Sequence, residues 1–303
     1  MEGAKLRKPV ILPVLAFVLC CCFSLSVLPV WSAEVDSEVI PVVTDLLLGG
    51  WMAGAWVDAD TIASHVPAGK LYRAYGFDGP LPDLTGSAPR RESEGCEYWR
   101  ISFAEKIAEN SQDSQNSDDS EDSEGSEGSE DPQDSGVEDC LAVGSTRPGM
   151  PRLPRLQTGG FKPYEELVAG YLKKNAISAD PQIQQLVRVD LDGDGSEEVF
   201  IVAGNADARI PVFVENTYSL VLFRRIVAGK AVTSALHEHY YHESIEGEAD
   251  SPSDYKVAFV VDINGDGILE LVLYGRYYEG FWYEIHELKN GELKKVLSDG
   301  LGA

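Results

Sequence analysis

The chain has 303 residues, 44% of them hydrophobic, enough for one or two domains with a buried core. A formal net charge of -25 at pH 7 excludes a general basic face for nucleic acid or for an anionic membrane surface. Thirteen of the acidic residues fall between Glu109 and Asp139, where there is no Lys or Arg, so much of the charge belongs to one segment.

At the N-terminus, Lys5, Arg7 and Lys8 precede an uncharged run from Pro9 to Ala33 that ends in Val30-Trp-Ser-Ala33. A basic region, an apolar stretch and small exit residues are the layout of a secretory signal, here residues 1–32 with cleavage after Ser32. The run is long enough to stay as an uncleaved anchor, although Pro13 and Pro29 interrupt it as a spanning helix. Cys20, Cys21 and Cys22 do not complete a lipoprotein box, because Leu19 stands where a small residue is required. The expected location is therefore secreted, periplasmic or on the cell surface.

Residues 41–105 read as a first β-rich segment: Val42 to Trp56 is apolar and punctuated by glycine, while Lys70–Tyr75 and Cys96–Phe103 alternate. Trp51, Trp56 and Trp99 are expected as core aromatics. Residues 106–160 read as an acidic low-complexity tract, with serine at every third position from Ser111 to Ser129, followed by a Pro/Gly-rich linker. The tract repels itself and has almost nothing to bury, so it cannot offset the entropy of folding. Cys96 and Cys140 flank it, and a disulfide closing this loop is chemically permitted.

From 161 to 303 the pattern changes. Pro163 followed by Leu167, Val168, Tyr171 and Leu172 predicts one short amphipathic helix. Eight strands are then expected in two sets of four: about 186–190, 198–204, 217–227 and 231–241, then 256–262, 269–277, 280–288 and 291–297. At the first joint of each set stands the same loop, Asp190-Leu-Asp-Gly-Asp-Gly-Ser-Glu-Glu198 and Asp262-Ile-Asn-Gly-Asp-Gly-Ile-Leu-Glu270. Side chains of Asp190, Asp192, Asp194 and Glu198, and of Asp262, Asn264, Asp266 and Glu270, offer hard oxygens at positions 1, 3, 5 and 9. The carbonyls of Ser196 and Ile268 are the candidate seventh-position ligands. Such a set suits Ca²⁺, and Gly195 and Gly267 permit the sharp turn that gathers it. Clustered carboxylates without a cation would raise one another's pKa, which argues against a bare acidic hairpin.

Neither loop is an EF-hand, since position 12 is Ile201 in one and Leu273 in the other and the flanks are strand-like. Strand, calcium loop and strand together resemble the FG-GAP/VCBS-type repeats of integrin-α-like β-propellers, over about residues 183–297, with Glu at position 9 where that family usually has Asp. The resemblance implies a mainly β fold, two four-stranded blade repeats and two structural Ca²⁺ ions. Two blades cannot close a ring, and residues 41–105 hold no third loop. Either the N-terminal segment supplies more blades to a propeller-like fold, or the chain is a small open β domain stapled by calcium; the second is the preferred expectation.

His237, His239 and His242 offer imidazoles of the kind that hold a transition metal, but they do not match HExxH, because Tyr241 occupies the fifth place, and they read as surface histidines of an edge strand. Around the Glu279-Gly280 turn, Tyr278 and Trp282 are the candidates to face outward and stack on a sugar or peptide. There is no GxSxG elbow, P-loop or dinucleotide fingerprint. The expected function is an extracytoplasmic calcium-binding module for adhesion or surface interaction, with a protein or glycan partner, no nucleic acid, and no membrane beyond the N-terminal anchor. The alternative is a secreted or periplasmic hydrolase, with polysaccharide as the candidate substrate class and with structural calcium.

Overall fold

A computed structural model describes residues 38–104, 140–210, 212–246 and 252–302. The expected signal segment and the acidic tract Glu109–Asp139 lie outside them. Among the described residues the fold is mainly β, built from open antiparallel sheets with two helices.

Strands β1 (Val39–Val43), β2 (Leu47–Met52) and β3 (Ala55–Val57) lead into α1 (Ala59–Ala63), whose first turn is capped by Asp58 accepting from the Thr61 amide at 2.8 Å. Hairpins β4 (Lys70–Gly76)–β5 (Gly79–Gly86) and β6 (Arg90–Glu94)–β7 (Cys96–Arg100) follow, then β8 (Phe103–Ala104). Beyond the tract come β9 (Leu141–Val143), β10 (Arg155–Leu156) and α2 (Lys162–Lys174). The next strands are β11 (Ile183–Val189), β12 (Glu198–Gly204), β13 (Val212–Phe213), β14 (Thr217–Val227), β15 (Lys230–Tyr241) and β16 (Ile245–Glu246). Last are β17 (Asp254–Val261), β18 (Glu270–Tyr277), β19 (Gly280–Lys289) and β20 (Glu292–Leu301).

Three sheets carry the fold. A seven-stranded sheet has the order β3-β2-β1-β9-β4-β5-β8, a five-stranded sheet is β10-β11-β12-β14-β15, and a four-stranded sheet is the plain meander β17-β18-β19-β20. The four-stranded sheet is the middle layer because its strands are apolar on both faces. Phe259, Val261, Val272 and Ile285 join Ile40, Val42, Leu48 and Leu141 of the seven-stranded sheet in one core. Val257, Val260, Leu271 and Leu273 join Val187, Phe200, Val221 and Phe223 of the five-stranded sheet in a second. A bulge between Val257 and Phe259 lets β17 serve both.

The outer faces are closed by the helices. Along β12 the side chains alternate, so that Phe200 and Val202 point to the middle layer while Ile201 and Ala203 meet Val168 and Leu172 of α2. Ile62 of α1 packs with Val43, Leu47, Tyr72 and Ala142 on the far side of the seven-stranded sheet. Each such buried aliphatic side chain contributes about 1.5–3 kcal/mol, so the layer order follows from where the period-2 runs are apolar on both sides.

Residues 140–160 are not a linker. β9 lies between β1 and β4 in the middle of the seven-stranded sheet, Gly149 pairs with Asp262, and β10 pairs with β11. Its apolar segment Leu141–Val143 is fully buried, which the neighbouring proline- and glycine-rich composition conceals. The described strands nearest the tract in sequence, β8 before it and β9 after it, thus belong to one sheet. Cys96 and Cys140 are free thiols, not a disulfide. Cys96 opens β7 and lines a cleft of about 290 Å³ with Glu279 and Phe281, whereas Cys140 precedes β9 and lines another of about 620 Å³ with Phe77 and Leu81. Burial pushes the Cys140 thiol above its ordinary pKa, the Tyr75 backbone opposing this. Among the described residues no helix is long and apolar enough to cross a membrane.

Candidate metal centres

The two acidic loops occupy equivalent joints, β11 to β12 and β17 to β18, and lie side by side. The Leu269 amide of loop 2 donates to the Leu191 carbonyl of loop 1 at 2.9 Å. Each loop is anchored by its second residue, Leu191 and Ile263, both fully buried, one in each inter-sheet core. The backbones match: Gly193 and Gly195 have φ of 76° and 87°, Gly265 and Gly267 of 80° and 88°. Glycines at positions 4 and 6 therefore hold left-handed conformations that other residues adopt only at a cost.

In loop 1 the Asp190 carboxylate accepts from the amides of Gly193 at 2.8 Å and Gly195 at 3.1 Å, Asp192 from Asp194 at 3.1 Å, and Asp194 from Ser196 at 2.7 Å. These turns bring one carboxylate oxygen from each of Asp190, Asp192 and Asp194 within 4.8 Å of one another. Glu198 is not in that group. It is buried, and its Oε2 accepts from the Leu191 amide at 2.9 Å. Burial raises its pKa, the Leu191 N–H opposes this, and Asp192 and Asp194 add to the rise.

Loop 2 repeats the pattern at greater depth. Asp262 accepts from Gly265 at 2.8 Å, Asp266 at 3.1 Å and Gly267 at 3.0 Å; Asn264 Oδ1 accepts from Asp266 at 2.9 Å; Asp266 accepts from Ile268 at 2.8 Å. Asp262 and Asn264 are buried, and Glu270 is wholly so. The Glu270 carboxylate accepts from the Ile263 amide at 2.7 Å and from Asn264 Nδ2 at 3.1 Å. Burial drives its pKa well up, only partly opposed by the Ile263 amide, and Asp266, Asp262 and Glu287 push the same way. Asp262 is raised for like reasons, burial first.

The sequence reading missed one member of this site. Oxygens of Asp266, Glu270 and Glu287 lie within 4.8 Å of one another, Glu287 coming from β19. Its Oε2 also stands 2.7 Å from the Lys289 ammonium. The signal was available: a two-residue turn at Tyr278-Glu279 pairs Tyr277 with Gly280, and that register, running through Leu271 with His286, brings Glu270 opposite Glu287. The seventh-position residues, Ser196 and Ile268, contribute their amides to the Asp two positions before.

Two arginines of the 140–160 segment face the position-4 glycines. A Cβ on Gly193 would lie 3.1 Å from Arg152 Nη1, and one on Gly265 2.9 Å from Arg147 Cβ. Arg152 donates to the carbonyls of Asp190 at 2.5 Å, Leu191 at 2.8 Å and Gly267 at 2.8 Å, and so ties both loops together. Every donor in both clusters is a hard oxygen, which fits Ca²⁺ and not a soft metal.

A third cluster differs in kind. His237 does not sit on the surface: its Nε2 is 2.7 Å from Glu284 Oε2, and His286 Nε2 is 3.0 Å from the same oxygen. Lys295 Nζ and Trp282 Nε1 donate to Glu284 Oε1 at 3.0 and 3.3 Å. His239 meets the Tyr255 hydroxyl at 2.9 Å, with its ring stacked near Tyr255. β15 is an edge strand, as expected, but its histidine face is covered by the middle sheet. Burial raises the Glu284 pKa, yet the hydrogen bonds from His237, His286 and Lys295 outweigh it and hold the group well below the carboxylate range. Of the two stacking candidates, Tyr278 is exposed at the hairpin tip, but Trp282 is half-buried against Tyr255 and is no outward platform.

No protein-family model matches the chain, and no curated protein or solved structure matches it.

Proposed function

We propose that the chain is an extracytoplasmic β-repeat protein in which two Ca²⁺ ions lock neighbouring loops, and that it acts as a binding or structural module. One observation carries this reading. A nine-residue loop of one pattern, each copy with left-handed glycines at positions 4 and 6, stands at the same joint of two stacked antiparallel meanders, and each copy gathers carboxylate oxygens: Asp190, Asp192 and Asp194 in one, Asp266 and Glu270 with Glu287 in the other. Asp190, Asp192, Asp194 and Glu198 would hold one ion, and Asp262, Asn264, Asp266, Glu270 and Glu287 the other. A cation there neutralises carboxylates whose burial otherwise disfavours their charged form. The two meanders take the part of FG-GAP-like blades, and the basic-apolar N-terminus supports export to a compartment where even loops of modest affinity fill.

The test is thermal unfolding of the full chain with millimolar Ca²⁺ and with chelator. A ligand that binds only the folded state stabilises it by mass action, by about 2.7 kcal/mol at a hundredfold excess over Kd, and so raises Tm. Wild type should show the rise and the Asp192→Ala/Asp266→Ala double variant should not. Equal Tm in both conditions for wild type would remove calcium from the account.

A further inference from the structure

We propose that His237, Glu284 and His286 form a site for one divalent transition metal of the Zn²⁺ class, clasping the five-stranded sheet to the four-stranded sheet. The proposal is independent of the calcium loops, since two imidazole nitrogens and a carboxylate suit zinc-like ions and not Ca²⁺.

The strands dictate the arrangement. Glu284 and His286 are two residues apart on β19 and share one face, the face opposite Tyr283 and Ile285, which point into the other core. His237 reaches them from β15 of the neighbouring sheet. Side-chain exposure is 4% for Glu284, 5% for His286 and 17% for His237, so the site is buried with its open side at His237.

The carboxylate is divided between two tasks. Lys295 and Trp282 occupy Oε1, in the manner of outer partners that orient a ligating group, and this leaves Oε2 facing both Nε2 atoms. One ligand atom from each residue lies within 4.8 Å of the others. Bonds of about 2.0–2.2 Å to a tetrahedral ion set donors about 3.3 Å apart, so the present N to O separations of 2.7 and 3.0 Å need open by only about half an ångström. His286 Nδ1 is buried without a hydrogen-bond partner, so nothing on that side pins the imidazole tautomer. Its Nε2 can exchange a proton shared with Glu284 for a metal. Three protein ligands leave a fourth position, on the more exposed His237 side.

Co²⁺ is the probe, added to metal-free full-length protein in saturating Ca²⁺ so that the acidic loops do not compete. The expected result is visible d–d absorption that saturates at one equivalent and is displaced by Zn²⁺. His237→Ala should weaken binding by more than about 100-fold, and Lys295→Met, which removes only an outer partner, by about 10-fold. The Asp192→Ala/Asp266→Ala variant should bind Co²⁺ as wild type does. Glu284→Gln, nearly isosteric, serves if His237→Ala does not fold, and should also lose the spectrum. No saturable spectrum, one unchanged in both His237→Ala and Glu284→Gln, or one lost in the acidic-loop variant would each overturn the site.

Discussion

Loop 1 and loop 2 have Asp at positions 1 and 5, Gly at 4 and 6 and Glu at 9, yet they live at different depths. In loop 1 residues 192–195 are exposed, while in loop 2 Asp262, Ile263 and Asn264 are buried. The cause is the neighbour. Loop 1 abuts loop 2, whereas loop 2 is covered by the Gly149 segment, which makes a two-way backbone bridge with Asp262. Position 3 is Asp192 in the open loop and Asn264 in the closed one, and the carboxylate lost there is matched by Glu287 from the adjacent strand. In loop 1 the register that pairs Val199 with Arg224 leads instead to Arg225, whose guanidinium lies against Gly291. The same local chemistry can thus be held by a solvated turn or by a buried one, provided that charge is trimmed where water is scarce.

The largest difference should come from the first aspartate. Asp262→Ala strips the acceptor from three amides in the covered loop and should cost about 3 kcal/mol in chelator, lowering Tm by about 6–12 °C. Asp190→Ala uncaps two amides that water can reach, at about 1 kcal/mol. Equal losses, measured by calorimetry, would break the comparison. Next is Arg152→Ala, which removes three charge-assisted bonds that span both loops and should cost about 2 kcal/mol. Arg147→Ala, whose half-exposed guanidinium pairs with Glu38, should cost less than half as much. Arg152→Lys should not rescue, because an ammonium donates from a single point and cannot replace Nε and Nη2, which reach the carbonyls from two separate positions.

Such differences of depth are not written in the loops themselves. Both loops and the eight strands around them are legible because their signals are local: glycines where the backbone is left-handed, and apolar runs on either side. Helix α2 is legible for the same reason, through Pro163 and the spacing of Val168 and Leu172, whereas α1 lies unread within the segment expected to be β-rich. What covers them is not. Arg147, Gly149 and Arg152 act through backbone bridges and carbonyl contacts with residues up to 115 positions away, and no periodicity marks such residues. His237 reads as a surface residue because an alternating edge strand does not reveal that β19 lies over one of its faces. Trp282 fails as a platform on the same ground. Glu287, by contrast, could have been found, since a two-residue hairpin fixes the partner of Glu270 by counting.

The ninth-position glutamates sharpen the comparison further. In chelator, Glu270→Gln should stabilise the protein by about 1 kcal/mol, because it removes a carboxyl whose charged form burial disfavours. Glu198→Gln should stabilise it less. In Ca²⁺ both signs should reverse, the charge then having a counter-ion, and denaturant melts in the two conditions measure this directly.

The smallest effect concerns position 8, where loop 1 has Glu197 and loop 2 has buried Leu269. Glu197 bridges Arg155 at 2.5 Å and Arg188 at 3.0 Å, and hydrogen bonds from Arg155 and then Arg188 hold its pKa below the ordinary carboxylate value. A depressed acid pKa contributes stability that is present above the unfolded value and lost as pH falls through the folded one. At about a third exposed, the group should contribute only about 0.5 kcal/mol at pH 7. The stability gap between wild type and Glu197→Gln should therefore close as pH falls below the ordinary carboxylate range, and also in 1 M salt. A gap that survives both would mean that loop 1 is held at this corner by packing, as loop 2 is through Leu269, and not by charge.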